Sequence, residues 1–233
     1  MRLLTVLLRK EMLATFGSPI AYTVAAVFLL VLGYTFSLTL FATKVANLLY
    51  VFHQMYVLTI LLVPALTMRA FAEERRTDTL ELLLTAPVGE IWIVLAKFLA
   101  VLALVLAMYA GTLSYAVILD AYGSPDWGPV NSGYLALVCH ASLVVSIGLL
   151  MSSLTENQVV AAALTLGTCL MLWFADSMSY LLPPPFDILV INLSLIGHFK
   201  PMVSGSVFAS DIGYFVTLSI LALFLTTRRL AER

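Results

Sequence analysis

Five long stretches of the sequence contain no charged residue, and this feature constrains the fold more than any other. The stretches are 12–43, 45–68, 98–119, 127–155 and 157–175. Each can hold a helix of roughly 20 residues, which is the length that crosses the hydrocarbon core of a bilayer. Only 11% of the 233 residues are charged, whereas soluble domains have about 25%. The sequence therefore predicts an all-α integral membrane protein.

The apolar stretches and their boundaries predict six transmembrane helices, preceded by a helix at the membrane interface. The interfacial helix is expected over 1–17, because its leucines share one helical face. Pro64 falls inside the second predicted span, where a proline removes a backbone hydrogen bond and bends the helix. There is no room for a soluble domain, so we expect a single membrane domain over 1–233. The predicted spans are 20–42, 47–68, 91–119, 133–154, 157–181 and 207–227.

Basic residues lie mostly on one side of this six-helix arrangement. Of the 12 lysines and arginines, Lys44 and Lys200 fall on the other side. Cytoplasmic loops retain Lys and Arg, so we expect both termini and the connection between the second and third spans in the cytoplasm. The formal net charge of −1 gives no reason to expect a nucleic acid as partner. The residues on the expected cytoplasmic side are Arg2, Arg9, Lys10, Arg69, Arg75, Arg76, Lys97, Arg228, Arg229 and Arg233.

The segment 183–206, between the fifth and sixth predicted spans, begins with three consecutive prolines. It is apolar, yet its apolar part is too short to cross the membrane. We predict a pair of short re-entrant or interfacial helices there, on the outer side. Non-helical backbone at membrane depth must be covered by protein or must line a wet cavity. The segment is therefore interpreted either as an exit gate or as a packing lid.

The densest charge in the sequence lies between the second and third predicted spans, in RAFAEERRTDTLELLLTAPVGE. So many charges beside a membrane must be solvated or bound to a partner. If 77–85 is helical, its leucines share one face and its acids point elsewhere, which predicts an amphipathic helix under the membrane. Pro87 would end that helix. Two interpretations stay open at this point: a docking site for a cytosolic partner, or a solvated loop helix.

The string MRAFAEERRTDTLELLLTAP, from Met68 to Pro87, resembles the signature of type-2 ABC transporter permeases, most closely the gliding-motility GldF-type subfamily. Further matches follow in the expected order along the chain. They are RKE near the start, SPIAY at 18–22, SSLTENQVVA at 152–161, HF at 198–199 and DIGYF ending at Phe215. The resemblance therefore extends over nearly the whole chain.

This resemblance implies a permease subunit of an ATP-driven, exporter-type complex in the bacterial inner membrane. The implied partners, besides the lipid bilayer, are two cytosolic ABC ATPase subunits, a second copy of the chain or a related permease, and a periplasmic or membrane-anchored auxiliary subunit. ATP and Mg would bind to the ATPase. The permease would bind no cofactor and catalyse no reaction, and its sequence contains no G-x-x-x-x-G-K-[ST] phosphate-binding motif.

In such permeases the segment between the second and third spans, 69–88 here, is the coupling segment and sits in a cleft of the ATPase. The resemblance thus implies docking residues in this segment and a second contact in the first helix. The implied coupling residues are Glu73, Glu74, Arg75, Arg76, Thr77, Asp78, Thr79 and Glu81, with Arg9, Lys10 and Glu11 as the second contact.

Three further residues are candidates for the transport path or for a gate. Asp176 is an ionisable residue near the outer end of the fifth predicted span, and such residues in membrane helices are functional hypotheses by default. An interfacial, structural role is the alternative for it. His198, close to Lys200, is interpreted as part of an outer polar cluster, and Pro64 as a kink. The histidines and cysteines lack metal-ligand spacing, so no metal site and no catalytic site is predicted.

A different class of protein remains as the alternative: a secondary transporter that is not driven by ATP, or a membrane scaffold. An ion-coupled carrier places acids or an interrupted helix near the membrane midplane. Only Asp176 and Pro64 offer such features here. The charged segment 69–88 favours the ATP-driven permease, because neither alternative class requires it.

Overall fold

The computed structural model describes residues 2–43, 47–79, 89–123 and 125–232. Across these ranges the chain is almost entirely helical and contains no strand, which confirms the predicted all-α fold. The helices are α1 (Arg2–Phe16), α2 (Pro19–Thr43), α3 (Leu49–Thr67), α4 (Arg69–Arg76), α5 (Glu90–Tyr122), α6 (Trp127–Leu154), α7 (Gln158–Ser179), α8 (Phe186–Ile191), α9 (Leu195–Val203) and α10 (Ala209–Ala231).

Within the described ranges, six helical segments are long and apolar enough to cross a membrane. They are α2, α3 together with α4, α5, α6, α7 and α10. This confirms the six predicted spans, and most boundaries agree within a few residues. The second span differs because helix continues beyond its predicted end at 68: Met68 keeps helical dihedral angles, with φ −55° and ψ −31°, and leads directly into α4.

The fourth span begins six residues earlier than predicted, at Trp127 rather than at 133. Sequence reasoning placed the Gly- and Pro-containing segment before 133 in a loop. In the structure Asp126 caps the helix, because its Oδ1 accepts a hydrogen bond from the Gly128 amide at 3.0 Å. Pro129 then lies in the first turn, where a missing amide hydrogen breaks no helical hydrogen bond. The predicted loop was wrong at this end for that reason.

Helix α6 forms the centre of the bundle and packs against α3, α4, α5, α7, α9 and α10. Two glycines let α3 approach it closely. A Cβ atom at Gly133 would overlap the Phe52 ring, and one at Gly148 would overlap the Thr67 side chain. By contrast, α2, α7 and α10 keep most of their apolar surface exposed, which costs nothing in lipid because lipid tails are equally apolar.

The segment 183–206 contains two short helices, α8 and α9, which confirms the predicted helix pair. None of the α8 residues is buried, whereas four apolar residues of α9 are, so α9 packs into the bundle. Gly205, just after α9, lies against Pro129 at the start of α6. Because Ser152 near the end of α6 contacts α4, α4 and α9 lie at opposite ends of α6.

Candidate functional site

Helix α4 is fixed to the bundle at its first turn by Ser152 of α6. The Ser152 Oγ atom accepts hydrogen bonds from the amides of Phe71 at 3.0 Å and Ala72 at 3.1 Å. The same hydroxyl donates to the Met68 carbonyl at 3.0 Å. The amides in the first turn of a helix have no acceptor within the helix. Here a hydroxyl from a distant helix is their acceptor. The position of α4 is therefore set by α6.

Lys97 of α5 is buried where α1, α4 and α5 meet, and it binds a carboxylate from each of the other two helices. Its side chain is 4% exposed, and Nζ lies 2.6 Å from Glu74 Oε1 and 3.2 Å from Glu11 Oε2. The ammonium group also lies 5.3 Å from the centre of the Phe71 ring. We call Glu11, Glu74 and Lys97 the lysine cluster. Buried charges require such partners, because an unpaired one is strongly destabilising.

The lysine cluster has two carboxylates and one ammonium group, and a neighbouring residue balances the excess charge. Lys10 Nζ lies 3.5 Å from Glu11 Oε1, with a side chain that is 58% exposed. Two carboxylates and two ammonium groups thus alternate along one line of contacts, and their formal charges cancel. This balance allows three helices to bring charged side chains together away from solvent.

Outside the contact with Lys97, α4 and the turn that follows it present polar and charged side chains to solvent. We call them the charged face: the partly exposed Glu73 and the exposed Arg76, Thr77 and Asp78. Glu73 is 45% exposed and lies 3.9 Å from Arg69 Nε, a distance at which an exposed pair contributes little to stability. The Thr77 hydroxyl donates to the Glu73 carbonyl at 2.9 Å and closes the end of α4. The charged face is therefore available to a partner.

Not all of the predicted coupling residues point into water. Glu74 binds Lys97 and is mostly buried, whereas the Glu73 side chain is partly exposed. Arg75 is buried as well, with 7% exposure, and Glu11 with 9%. Successive residues of a helix point about 100° apart. A contiguous charged string on one helix must therefore divide between its inward and outward faces.

A cleft of about 490 Å³ opens between α1, α4 and α5, beside the start of α2 and the end of α3. The charged side chains that line it are Glu11, Arg69, Glu73, Glu74 and Lys97. The rest of the lining is largely apolar and includes Leu66 and Val101. The cleft brings the lysine cluster and part of the charged face to one surface, so the sequence-predicted contacts of the first helix and of α4 do meet.

The predicted amphipathic helix over 77–85 differs from the structure at its start. Thr77 and Asp78 form a turn, and Asp78 has a positive φ of 54°, in the left-handed region that Asp adopts more readily than most residues. The rest of this prediction, including Glu81, falls in 80–88, outside the described residues. Of the coupling segment 69–88, the structure therefore describes α4 and the turn that follows it.

A second polar cluster lies at the other end of the bundle, around His198 of α9. His198 Nδ1 and Asp211 Oδ1 are 2.8 Å apart, and Nε2 lies 3.3 Å from the Asn192 carbonyl. The imidazole stacks on the Tyr214 ring with centres 4.2 Å apart. We call His198, Asp211 and Tyr214 the histidine cluster. The sequence-based interpretation grouped His198 with Lys200, whereas the contacts described here join His198 to Asp211 and Tyr214 and tie α9 to the first turns of α10.

The other two candidates for the transport path lie on different helices. Pro64 is buried in α3, and its carbonyl accepts a hydrogen bond from the Met68 amide at 2.9 Å. Asp176 is half-buried, three residues before the end of α7. Within the described ranges no hydrogen bond connects Pro64, Asp176 and His198 with one another. In the same ranges, no three His, Cys, Asp or Glu side chains come together as metal ligands.

Two residues of the site escaped sequence reasoning. Lys97 was counted only as a marker of orientation, although it is the sole charge inside the predicted span 91–119. A lone charge in a membrane helix signals a buried partner, so this residue could have been found. The second is Ser152, because nothing in its local sequence pattern indicates a contact with α4. Asn157, a few residues further on, caps α7, since its Oδ1 accepts from the Val159 amide at 2.9 Å.

Six membrane-crossing helices and a charged site at one end define a multi-pass membrane protein. Residues 41–187, more than half of the chain, match the family model described as ABC-2 family transporter protein. The chain belongs to this family and is therefore a component of a membrane transporter, a kind of subunit that is generally non-catalytic. Membership also implies an ABC ATPase as partner. A comparison with curated proteins finds no match.

Proposed function

We propose that this chain is the permease subunit of an ATP-driven, exporter-type ABC transporter, and that the ATPase docks on the charged face. The observation that carries the proposal is the position of this face. It projects from a helix whose other side is held by Ser152 and Lys97. A rigidly held, exposed polar surface is what a partner needs in order to push on the bundle.

The proposed assembly has two cytosolic ATPase subunits beneath a pair of permeases, either two copies of this chain or this chain and a related one. ATP and Mg bind to the ATPase, and the permease itself holds no cofactor. A periplasmic or membrane-anchored subunit completes the complex. We place it in the bacterial inner membrane with both permease termini in the cytoplasm, and we assign the chain to the GldF-type subfamily, with residues 1–233 as one permease domain.

The first helix supplies the second contact in this proposal. Arg9 and Lys10 are exposed on α1, close to the cleft that α1 shares with α4. Closure of the two ATPase subunits on ATP would press on the charged face and on α1 together. Such a push tilts helices as rigid bodies, which is one of the common ways in which proteins switch state.

Purification tests this proposal directly. The tagged chain is isolated from its native membrane in mild detergent, co-purifying subunits are identified by mass spectrometry, and ATP hydrolysis is measured. We expect an ATPase in equal amount, and we expect the double variant Glu73→Lys with Arg76→Glu to lose it. Glu232→Lys changes an exposed acid just after α10 and serves as the matched control.

Two results would count against the proposal. A wild-type chain that purifies without any ATPase favours a secondary transporter or a scaffold. A double variant that keeps a normal amount of ATPase removes the docking role from the charged face.

A further inference from the structure

We infer that Lys97 is the positioning residue that transmits motion from the charged face into the transmembrane helices. The inference rests on the proposed ATPase docking. Its structural basis is that Lys97 belongs to α5 and yet holds both helices at the docking end, α1 through Glu11 and α4 through Glu74. One buried ammonium group thus connects three segments that are far apart in the sequence.

The path begins on α4, where Glu73 and Glu74 are consecutive and point about 100° apart. Glu73 belongs to the charged face, whereas Glu74 points inward to Lys97. A push on the outward side of this short helix therefore displaces the Glu74 carboxylate. The contact of 2.6 Å between Glu74 Oε1 and Lys97 Nζ is a charge-assisted hydrogen bond, and such bonds are short and strong. Lys97 must follow the carboxylate, or the bond must break inside the protein.

Helix α5 carries the displacement across the membrane. It has 33 residues, a length of about 50 Å at 1.5 Å per residue. Lys97 lies in its second turn, close to the end at which it begins with Glu90. A force applied there acts near one end of a long, stiff rod and moves the other end. The same force draws α1 along, because Glu11 is bound to the same ammonium group.

The contact between Ser152 and α4 gives this motion a fixed point. Helix α6 is more buried than α5. Of the most apolar 18-residue stretch of each helix, 67% lies inside the protein in α6 and 50% in α5. The amides of α4 are bound to α6, so that end of α4 stays with the central helix. The carboxylate of Glu74 then moves around this anchor, and α5 is the helix that responds.

The experiment uses the complex purified with its ATPase and measures the far end of the bundle. Spin labels replace Asp120 and Tyr180, two exposed residues near the far ends of α5 and α7. Cys139→Ala and Cys169→Ala remove the native thiols from the background. The distance between the labels is measured without nucleotide and with ATP plus vanadate, alongside ATPase retention, hydrolysis rate and melting temperature.

The main variant is the triple change Glu11→Gln, Glu74→Gln and Lys97→Met, which removes every charge of the lysine cluster and leaves no buried charge unpaired. Glu74→Gln alone is the second variant, and it keeps the pair between Lys97 and Glu11. Lys200→Met removes an exposed lysine from α9 and is the matched control. We expect both cluster variants to keep the ATPase and hydrolyse ATP. The triple variant should lose most of the nucleotide-dependent distance change, and Glu74→Gln part of it.

A full distance change in either folded cluster variant overturns the inference about Lys97 and leaves the docking proposal intact. If the triple variant fails to fold, Glu74→Gln decides the question. Absence of an ATPase from the wild-type complex overturns the docking proposal itself. The two failures are therefore distinguishable.

Discussion

The lysine cluster and the histidine cluster lie at opposite ends of the bundle and connect very different parts of the chain. Glu11 is 86 residues from Lys97 and Glu74 is 23 residues from it, so the lysine cluster joins three separate helices. His198 and Asp211 are only 13 residues apart, and they brace two consecutive helices. The first arrangement joins helices that are distant in the sequence, and the second joins two helices that follow one another.

The two clusters also differ in the chemistry of their contacts. The lysine cluster depends on full charges, and removal of Lys97 takes the shared cation from both carboxylates. The histidine cluster combines a hydrogen bond with stacking on Tyr214, so the loss of one contact leaves others in place. We therefore expect substitutions to cost more at the lysine cluster. Four predictions examine this difference, from the largest expected effect to the smallest.

Lys97→Met should have the largest effect on stability. It leaves the carboxylates of Glu11 and Glu74 without the ammonium group that they share, and we expect a loss of about 3 kcal/mol in the free energy of unfolding. This is the lower end for a broken buried pair, because both carboxylates keep some exposure and Lys10 remains beside Glu11. The thermal unfolding midpoint in detergent measures it. Lys200→Met is the control. Equal unfolding midpoints for Lys97→Met and Lys200→Met would mean that the buried lysine contributes no more to stability than an exposed one.

Asp211→Ala should come second. It takes the partner from His198 Nδ1 while the contact with the Asn192 carbonyl and the stacking on Tyr214 remain. The expected loss in the free energy of unfolding is about 1–3 kcal/mol, the cost of leaving a buried hydrogen-bonding group without its partner. Asp120→Ala removes an exposed carboxylate and should leave the unfolding midpoint unchanged. A larger loss than that of Lys97→Met would reverse the ranking of the clusters.

Ser152→Ala should cost about 1 kcal/mol, the usual effect of losing a side-chain cap on a helix. The Phe71 and Ala72 amides lose their common acceptor. The rate of hydrogen exchange should rise at these two amides. A general loss of stability would instead raise the rate throughout the bundle. Ser153→Ala is the control, because the Ser153 hydroxyl donates to Leu150 within its own helix. Unchanged protection of α4 would mean that the lysine cluster alone holds it.

Glu73→Gln should have the smallest effect on stability, below about 0.5 kcal/mol, because its pair with Arg69 is exposed and long. Glu74→Gln, one residue further along the same helix, should lower the unfolding midpoint more. Measuring both at low and high salt sharpens the contrast, since screening acts on exposed pairs more than on buried ones. If both variants lowered the unfolding midpoint equally, and salt reduced both effects, Glu74 would be solvated in the same way as Glu73.

Much of the fold could be predicted from the sequence, because membrane helices are encoded in local composition. Five charge-free stretches, with a shorter apolar stretch after Asp211, predicted the six spans, and the prolines at 183–185 pointed to the short helices α8 and α9. The early start of α6 was missed, since the Asp126 cap and a tolerated Pro129 resemble a loop in the sequence. Composition cannot separate a proline that ends a helix from one that lies in its first turn.

The candidate site was predicted only in outline. The charged string marked the right region, but the division between Glu73 and Glu74 depends on how α4 is rotated against the bundle. That rotation is set by Ser152, which is distant in the sequence. The partners of Lys97 depend likewise on the packing of α1 and α4 on α5. Contacts of this kind lie in the tertiary structure and leave no local pattern.

The glycines at the interface of α3 and α6 have a mechanical consequence. Gly133 and Gly148 are roughly 22 Å apart along α6 at 1.5 Å per residue, and each receives a side chain of α3, Phe52 or Thr67. Two such close contacts, so far apart along the helix, prevent α3 from sliding or rotating against α6. The contacts at both ends of this interface therefore fix the register of α3 against α6, and the two helices pack as one unit at the centre of the bundle.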